Sequence, residues 1–162
     1  MRTFLQWAAK GALLTYTIHE HVLFITKTQG PSMLPTFNLY GDIMICEAVS
    51  PRFQLLGPGD VIICNSPRDP NKFIIKRIVG MPGDVVTYRR KSDFWVDSHI
   101  QQRVPEGKVW LQGDNLYESI DSRDYGPVPL SLIRGRVVLK IWPYYEFGPV
   151  PSTSQHADDA DN

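Results

Sequence analysis

Short apolar runs separated by turn residues fill most of the chain after residue 40. The runs are rich in Val and Ile, while Gly, Pro, Asn and Asp stand between them. Runs of this kind bounded by turn residues predict β-strands. Strands are therefore expected at residues 42–46, 61–64, 73–79, 85–88, 94–96, 108–111 and 132–142. The pattern predicts a mostly β domain, with residues 89–91 as a solvated turn between two of its strands.

The first 28 residues instead place apolar side chains at helical spacing. These positions are Phe4, Trp7, Ala8, Gly11, Leu14, Ile18, Val22 and Ile25. No acidic residue precedes Glu20, although two basic residues do. His19, Glu20 and His21 interrupt the apolar run, and charge at that depth is costly in a bilayer unless the segment lies at the interface. We predict a membrane-associated helix over residues 1–28 and leave open whether it spans the membrane.

Length and charge limit the possible functions. The 162 residues suit one domain with a full core, which we assign to residues 29–147. Seventeen basic and seventeen acidic side chains give a formal net charge of zero. No basic stripe is present, so the chain lacks the electrostatic footprint of a nucleic-acid-binding protein. Residues 148–162 are polar and acidic and are predicted to form a disordered tail.

The cysteines and histidines give no sign of a metal site. Cys46 and Cys64 each lie inside an apolar, strand-like run. This placement favours buried free thiols and leaves a single Cys46–Cys64 disulfide open. His19 and His21 lack the i, i+4 spacing of a zinc-binding helix.

One serine stands between two prolines in the segment at residues 30–36. Pro31 and Pro35 restrict their own φ and push the preceding residues towards extended geometry, so Ser32 is presented on a stiff, non-helical segment. Gly30 permits a turn or a close backbone approach. A serine in this setting is most often part of a turn, and the segment alone does not establish a nucleophile.

A lysine inside an apolar strand is a candidate partner for Ser32. Ile74, Lys76 and Ile78 share one face of the predicted strand, so the lysine emerges between two isoleucines. Burial can lower a lysine pKa by about 3 to 5 units from roughly 10.4. A neutral lysine can accept the proton of a serine hydroxyl. The simpler alternative is a lysine that extends past its neighbours to water.

A dense polar segment at residues 113–128 separates two apolar strands. Asp, Asn and Ser can satisfy their own turns, so a long capped loop is one interpretation. A buried neutral lysine also needs hydrogen-bond partners, and Ser119 can supply one without restoring the charge. Asp121 and Arg123 can pair and hold the loop in shape.

Together these stretches resemble the type I signal peptidase family of Ser-Lys membrane proteases. The matching segments are residues 30–36, 76–84 and 113–123, in the order typical of the family, and the resemblance covers about residues 30–143. Its mitochondrial inner membrane branch, of the subunit 1 type, is the most similar at residues 30–33, 65–70, 125–129 and 132–136. The short chain agrees, because bacterial members often carry a large inserted domain between the last two segments.

The resemblance implies roles for individual residues. Ser32 matches the nucleophile and Lys76 the general base. Supporting positions are matched by Ser119, Asp114, Asp121 and Arg123. The nucleophile's own backbone amide would serve the oxyanion hole, and Gly30 stands where some bacterial members add a hydroxyl group. The second oxyanion donor is therefore left open, and no cofactor is implied.

The family also implies a fold, a location and partners. We expect a signal-peptidase-like β-barrel or sheet domain anchored in the mitochondrial inner membrane and facing the intermembrane space. Its activity would be a serine endopeptidase that removes sorting segments from precursor proteins. Implied partners are those precursors, a second peptidase subunit and inner membrane lipid, with no nucleic acid.

Three alternatives compete with this interpretation. A bacterial or endoplasmic-reticulum signal peptidase is the main one, although the latter usually has histidine at the position of Lys76. A non-catalytic subunit of a peptidase complex would keep the fold and lose the dyad, whereas both dyad residues are present here. Self-cleaving Ser-Lys repressors carry a DNA-binding domain, for which residues 1–29 are too short.

Overall fold

The computed structural model describes residues 4, 6–8, 10–11, 22–89 and 99–152. Within these residues the chain forms ten strands, three 3-10 turns and two one-turn helices, α1 (Val49–Arg52) and α2 (Ser122–Tyr125), in addition to helical residues near the N-terminus. The strands are β1 (Leu23–Gln29), β2 (Tyr40–Glu47), β3 (Val61–Asn65), β4 (Phe73–Gly80), β5 (Val85–Tyr88), β6 (Ile100–Arg103), β7 (Lys108–Gln112), β8 (Val128–Pro129), β9 (Ile133–Trp142) and β10 (Gly148–Pro149). The predicted mostly β class is confirmed.

The strands form one large antiparallel sheet and a separate hairpin. The order in the large sheet is β1-β2-β9-β3-β4-β7-β8, with β10 added to β9, while β5 pairs with β6. Strand β9, with ten residues the longest, pairs with β2, β3 and β10. Since β1 lies at one end of this order, its outer edge has no strand partner among the described residues.

Both faces of the sheet are covered at β3, which explains its continuous apolar sequence. Ile62 and Cys64 pack into one core cluster, together with Ile78 and Leu111 of the neighbouring strands. Val61 and Ile63 point the other way and pack into a second cluster. Alternate residues of a strand face opposite sides, so burial on both faces accounts for the continuous apolar run Val61–Cys64.

The predicted N-terminal helix is wrong in its last residues. Leu23–Gln29 forms β1 and pairs along β2, with Phe24 opposite Cys46 and Ile25 opposite Ile45. Aromatic and β-branched side chains suit a half-buried strand, and pairing with β2 satisfies the backbone of this segment. Residues 4, 6–8 and 10–11 are helical. Among the described residues, no helix is long and apolar enough to cross a membrane. Membrane association of the N-terminal segment stays a prediction.

The predicted disordered tail begins too early. Gly148 and Pro149 pair with Lys140 and Leu139 of β9, and Val150 packs against the second core cluster. Backbone pairing with β9 and the burial of Val150 hold this segment in the fold, and the described chain continues to Ser152. Residues 153–162 and the predicted strand at 94–96 lie outside the described residues. The partner of β5 is β6, which the apolar pattern did not predict.

The two cysteines are buried free thiols, as the sequence favoured. Strand β9 lies between the two cysteines, since Cys46 pairs with Val137 and Cys64 with Ile133. Burial raises the pKa of each thiol to about 12, so both stay protonated at neutral pH. They act as small apolar core residues.

Candidate active site

A short loop between β1 and β2 presents Ser32. Gly30 has a φ of 103°, and its amide donates to the Leu39 carbonyl over 2.8 Å, which closes the loop at its base. Pro31–Met33 forms one 3-10 turn, and the Met33 side chain is buried in the second core cluster. Because one neighbour is a proline and the next is anchored in the core, the half-buried serine between them is held in place.

The lysine predicted to serve this serine lies against it. Lys76 Nζ is 2.8 Å from Ser32 Oγ, although the two residues are 44 positions apart in the chain. Lys76 is only 3% exposed and pairs with Ile62 of β3, next to the buried Ile78 of its own face. The extension of the lysine side chain to bulk water is excluded by this burial. The structure therefore brings together the serine and lysine that the sequence singled out.

The polar loop at residues 113–124 covers the same place from the other side. The Asn115 amide donates to the Ser32 carbonyl over 3.1 Å. Gly113 packs so closely that a Cβ there would overlap the Ser119 hydroxyl and the Ser32 carbonyl oxygen. Ser119 itself is fully buried. This loop thus fixes the backbone of the serine and places a second hydroxyl close to it.

Replacing Gly113 by alanine is expected to reduce activity by about 10²-fold, since a shift of about 1 Å at a reacting group costs that much. The new methyl group would displace either Ser119 or the carbonyl of Ser32. Steady-state cleavage of a peptide substrate measures the effect. Gly57→Ala is the matched control, because a Cβ at Gly57 meets nothing within 4 Å. Equal activities of the two variants would contradict the close packing.

Asp121 is the central residue of this loop. Its carboxylate accepts hydrogen bonds from Ser119 Oγ at 2.7 Å, the Gly113 amide at 3.0 Å and Arg123 Nη2 at 2.8 Å. It also begins α2 through a capping box with Asp124. The predicted pairing of Asp121 with Arg123 is therefore present. The carboxylate orients Ser119 and stiffens the loop at the same time.

The pKa of Asp121 reflects this network. Burial raises that pKa, but hydrogen bonds from Arg123, the Gly113 amide and Ser119, together with the Arg123 charge, outweigh burial and leave it below its ordinary value. A carboxyl with a lowered folded-state pKa stabilises the fold above its unfolded pKa of about 3.9, and the contribution is lost as pH falls through the folded value.

Asp121→Asn is therefore expected to destabilise the protein most at neutral pH. The deficit in the free energy of unfolding should shrink as the pH falls below about 4, where the wild-type carboxylate also becomes protonated. Urea unfolding of both proteins between pH 7 and pH 3 measures this difference. Glu118→Gln, an exposed change in the same loop, is the control. A deficit that stays constant with pH would contradict the role of the charge.

A buried ion pair, whose partners the sequence did not identify, connects the segments that carry the site. Arg77 Nε and Nη2 donate to the two carboxylate oxygens of Asp114 over 2.8 and 2.7 Å. Arg77 Nη1 donates to the carbonyls of Gly59 and Pro151. Thr36, in the serine loop, donates to the same Asp114 carboxylate. The pair thus joins β4, the serine loop, the polar loop and the C-terminal segment.

A second buried cation lies under the serine loop. Lys140 of β9 donates from Nζ to the Thr36 carbonyl over 3.0 Å and to Glu146 Oε2 over 2.8 Å, and lies 3.2 Å from Asp42. The sequence indicated a buried partner for both Arg77 and Lys140, because each interrupts an apolar strand and a buried charge requires a partner. It did not indicate which carboxylate would supply that partner.

A cleft of about 290 Å³ opens at Ser32 and Lys76. One wall is the end of β1, at residues 26–29, and the other is the start of β4, at residues 73–76. Met33 and Phe37 line its floor. Among the residues that the structure describes, no cluster of side chains is suited to hold a metal ion.

The chain was compared with known families and proteins. It matches the family model "Signal peptidase, peptidase S26" over residues 1–99 and 91–142. A mitochondrial ATP-independent inner membrane protease subunit 1a of Arabidopsis thaliana is 47% identical over 141 residues, which cover 86% of this chain and 83% of that protein. The human mitochondrial inner membrane protease subunit 1 is 42% identical, with 90% of this chain and 87% of that protein covered.

Two further similarities were found. A mitochondrial inner membrane protease subunit 2 of Danio rerio is 33% identical over 80% of this chain and 70% of that protein. A crystal structure of a signal peptidase I from Enterococcus faecalis matches with a TM-score of 0.42 and 26% identity, over 50% of this chain and 95% of that one. The chain therefore belongs to the signal peptidase family, peptidase S26, as a signal peptidase-like serine peptidase of the mitochondrial inner membrane.

Proposed function

We propose that Ser32 is the nucleophile and Lys76 the general base of this peptidase. The observation that carries the proposal is the 2.8 Å contact between Lys76 Nζ and Ser32 Oγ, made by a lysine that is 3% exposed. That distance is within reach of direct proton transfer. Burial disfavours the charged form of an amine, and the neutral form is the one that accepts a proton.

The reaction then follows in two steps. Ser32 Oγ attacks the carbonyl carbon of the scissile bond while its proton passes to Lys76 Nζ. The lysine returns that proton to the leaving amine as the carbon–nitrogen bond breaks, which leaves an acyl group on Ser32. A water molecule then gives a proton to Lys76 and attacks the ester, and Ser32 recovers its hydrogen as the new carboxyl group departs.

The oxyanion of each tetrahedral intermediate needs hydrogen-bond donors. The Ser32 amide, at the start of the 3-10 turn, is the donor that we assign. Gly30 has no side chain, and its own amide is committed to the Leu39 carbonyl. The second donor therefore comes from a group other than Gly30, and the loss of one such donor typically costs about 3 kcal/mol of barrier.

The remaining residues of the site are positioning residues in this proposal. Ser119 orients the lysine, and Asp121 with Arg123 holds Ser119. Asp114 acts at a greater distance, through Arg77 and Thr36. Each is buried, and each has a hydrogen-bond partner that fixes it, which is what a preorganised site requires.

The cleft suits an extended peptide. Strand β4 pairs with β3 along residues 73–77, whereas β7 joins β4 only from Arg77 onward. The edge of β4 before Lys76 is thus available on the side that faces the cleft, as is the outer edge of β1. A substrate segment that adds as a strand here would carry its scissile carbonyl to Ser32.

The physiological substrates in this proposal are precursor proteins whose sorting segments are removed in the intermembrane space. Relatives of this chain are named subunits 1 and 2 of an inner membrane protease, so we infer that it works in a complex with a second peptidase subunit. A bacterial-type enzyme is disfavoured because the relatives that match most of the chain are mitochondrial. A non-catalytic subunit is disfavoured because the serine and the lysine are in contact.

The test compares new protein N-termini in mitochondria that carry either the wild-type chain or Ser32→Ala. Specific intermembrane-space precursors are expected to keep their sorting segments only with Ser32→Ala. Mass spectrometry of N-terminal peptides identifies those precursors and their cleavage sites. Ser152→Ala, an exposed serine that lines neither cleft, is the matched control. Identical N-termini for wild type and Ser32→Ala would rule out the mitochondrial processing function.

A further inference from the structure

A second and larger cleft continues from the one at Ser32. It has a volume of about 540 Å³, and Thr26, Ile63 and Phe73 line both clefts. The walls formed by β1 and β4 therefore run from the serine into the second cleft without a break. None of the residues assigned to the reaction above lines this space, so it has no role in the chemistry of the Ser-Lys pair.

The lining of the second cleft combines apolar surface with positive charge. Ile25 and Phe73 are 63% and 65% exposed, and Leu130 adds a further apolar wall. Arg52, at the end of α1, and Arg134, on β9, supply two guanidinium groups. Among the described residues that line it, none is acidic. Arg134 is held by a 2.6 Å hydrogen bond from its Nε to the Asn65 side chain.

An extended substrate would reach this cleft at a defined distance from the scissile bond. Thr26 and Phe73 each lie three residues from the Ser32 end of the first cleft, at Gln29 and Lys76. At about 3.3 Å per residue, three residues of strand span roughly 10 Å. A substrate residue roughly three to seven positions from the scissile bond would therefore lie in the second cleft.

Building on the proposed function, we infer that the second cleft is a remote substrate subsite that selects precursors with an acidic residue at this distance. Apolar substrate side chains contact Ile25 and Phe73, while a carboxylate pairs with Arg134 in a cleft to which Arg52 adds positive charge. Arginine is suited to this, because its planar group binds carboxylates with two hydrogen bonds. Specificity therefore extends beyond the residues next to the scissile bond.

The experiment uses quenched fluorescent peptides based on one precursor cleavage site, with Ala, Asp or Lys placed in turn at each position up to seven residues on either side. The enzyme source is detergent-solubilised mitochondrial membranes that contain the full chain. The activity of membranes with Ser32→Ala is subtracted as background, and only the difference is analysed. If no activity is lost with Ser32→Ala, the proposed function fails. The subsite is tested only by comparing peptides that this activity does cleave.

We expect Asp to raise kcat/KM about fivefold over Ala at one position, three to seven residues from the bond, through a lower KM. The ratio of the Asp and Ala rates should fall to about one in the double variant Arg52→Gln/Arg134→Gln, and Arg134→Glu should favour Lys instead. Arg103→Gln, an exposed arginine on β6, should keep the wild-type ratio. Added salt should reduce the wild-type ratio, because exposed charges are screened. The inference is overturned if the Asp-to-Ala ratio is one at every position, or if the double variant keeps the wild-type ratio.

Discussion

Ser32→Ala and Lys76→Met are each expected to lower kcat/KM by at least about 10³-fold while the fold is retained. The first change removes the oxygen that we propose as the nucleophile, and the second removes the amine that lies 2.8 Å from it. Methionine fills nearly the same volume as lysine without its amine, so the buried position stays packed. Cleavage of a peptide substrate and the thermal unfolding midpoint are measured for the same preparations.

Two further variants separate proton transfer from charge and from packing. Lys76→Arg places a permanent positive charge at this position and cannot accept a proton, so it should be as inactive as Lys76→Met. Lys72→Met is the matched control, because this lysine shortly precedes β4 and its side chain is 77% exposed. It should keep full activity. Substantial cleavage by Lys76→Arg would show that the lysine acts as a charge and not as a base.

The predicted meeting of Ser32 and Lys76 needed more than local sequence. A lysine between two isoleucines on one strand face had either to reach water or to find a partner inside, and the residues alone left both alternatives open until the family resemblance connected the two segments. The strands themselves followed from apolar runs, most clearly in β3, whose two faces are both covered. Local sequence thus indicated the serine segment and the lysine strand, and the order of the family's segments connected them.

Other parts of the fold depend on tertiary pairing that local sequence does not encode. Apolar residues at positions 18, 22 and 25 match helical spacing, yet pairing with β2 turns Leu23–Gln29 into a strand. Short apolar segments are ambiguous between the two periods, and the available sheet edge decides. Gly148–Pro149 has low strand propensity and is a strand only because β9 offers an edge to it.

The ion-pair partners also could not be predicted from sequence. Arg77 interrupts an apolar strand, which indicates that some carboxylate must be buried with it. Several aspartates were available, and only the fold shows that Asp114, 37 residues away, is the partner. The same holds for Lys140, whose contacts include the Thr36 carbonyl 104 residues earlier in the chain. Sequence predicts the need for a partner, and the topology determines its identity.

Arg77→Met is expected to lower the free energy of unfolding by about 3 to 5 kcal/mol, because it leaves the Asp114 carboxylate buried without its charged partner. The side chains of Arg77 and Asp114 are only 5% and 2% exposed, so water cannot replace the lost contacts. The change also frees the carbonyls of Gly59 and Pro151 from their donor. Urea unfolding of the full chain in detergent measures the loss.

The double variant Arg77→Met/Asp114→Leu distinguishes the pair from mere packing. Its loss should be smaller than the sum of the two single losses, since neither charge is then left alone. Arg136→Met is the matched control: Arg136 contacts Glu47 with its side chain 33% exposed, so its loss should be at most about 1 kcal/mol. Strictly additive losses for Arg77 and Asp114 would contradict their coupling. With coupling, the serine loop, the polar loop and β4 are joined through one buried ion pair, and Arg77→Met should also lower kcat at temperatures where the protein is still folded.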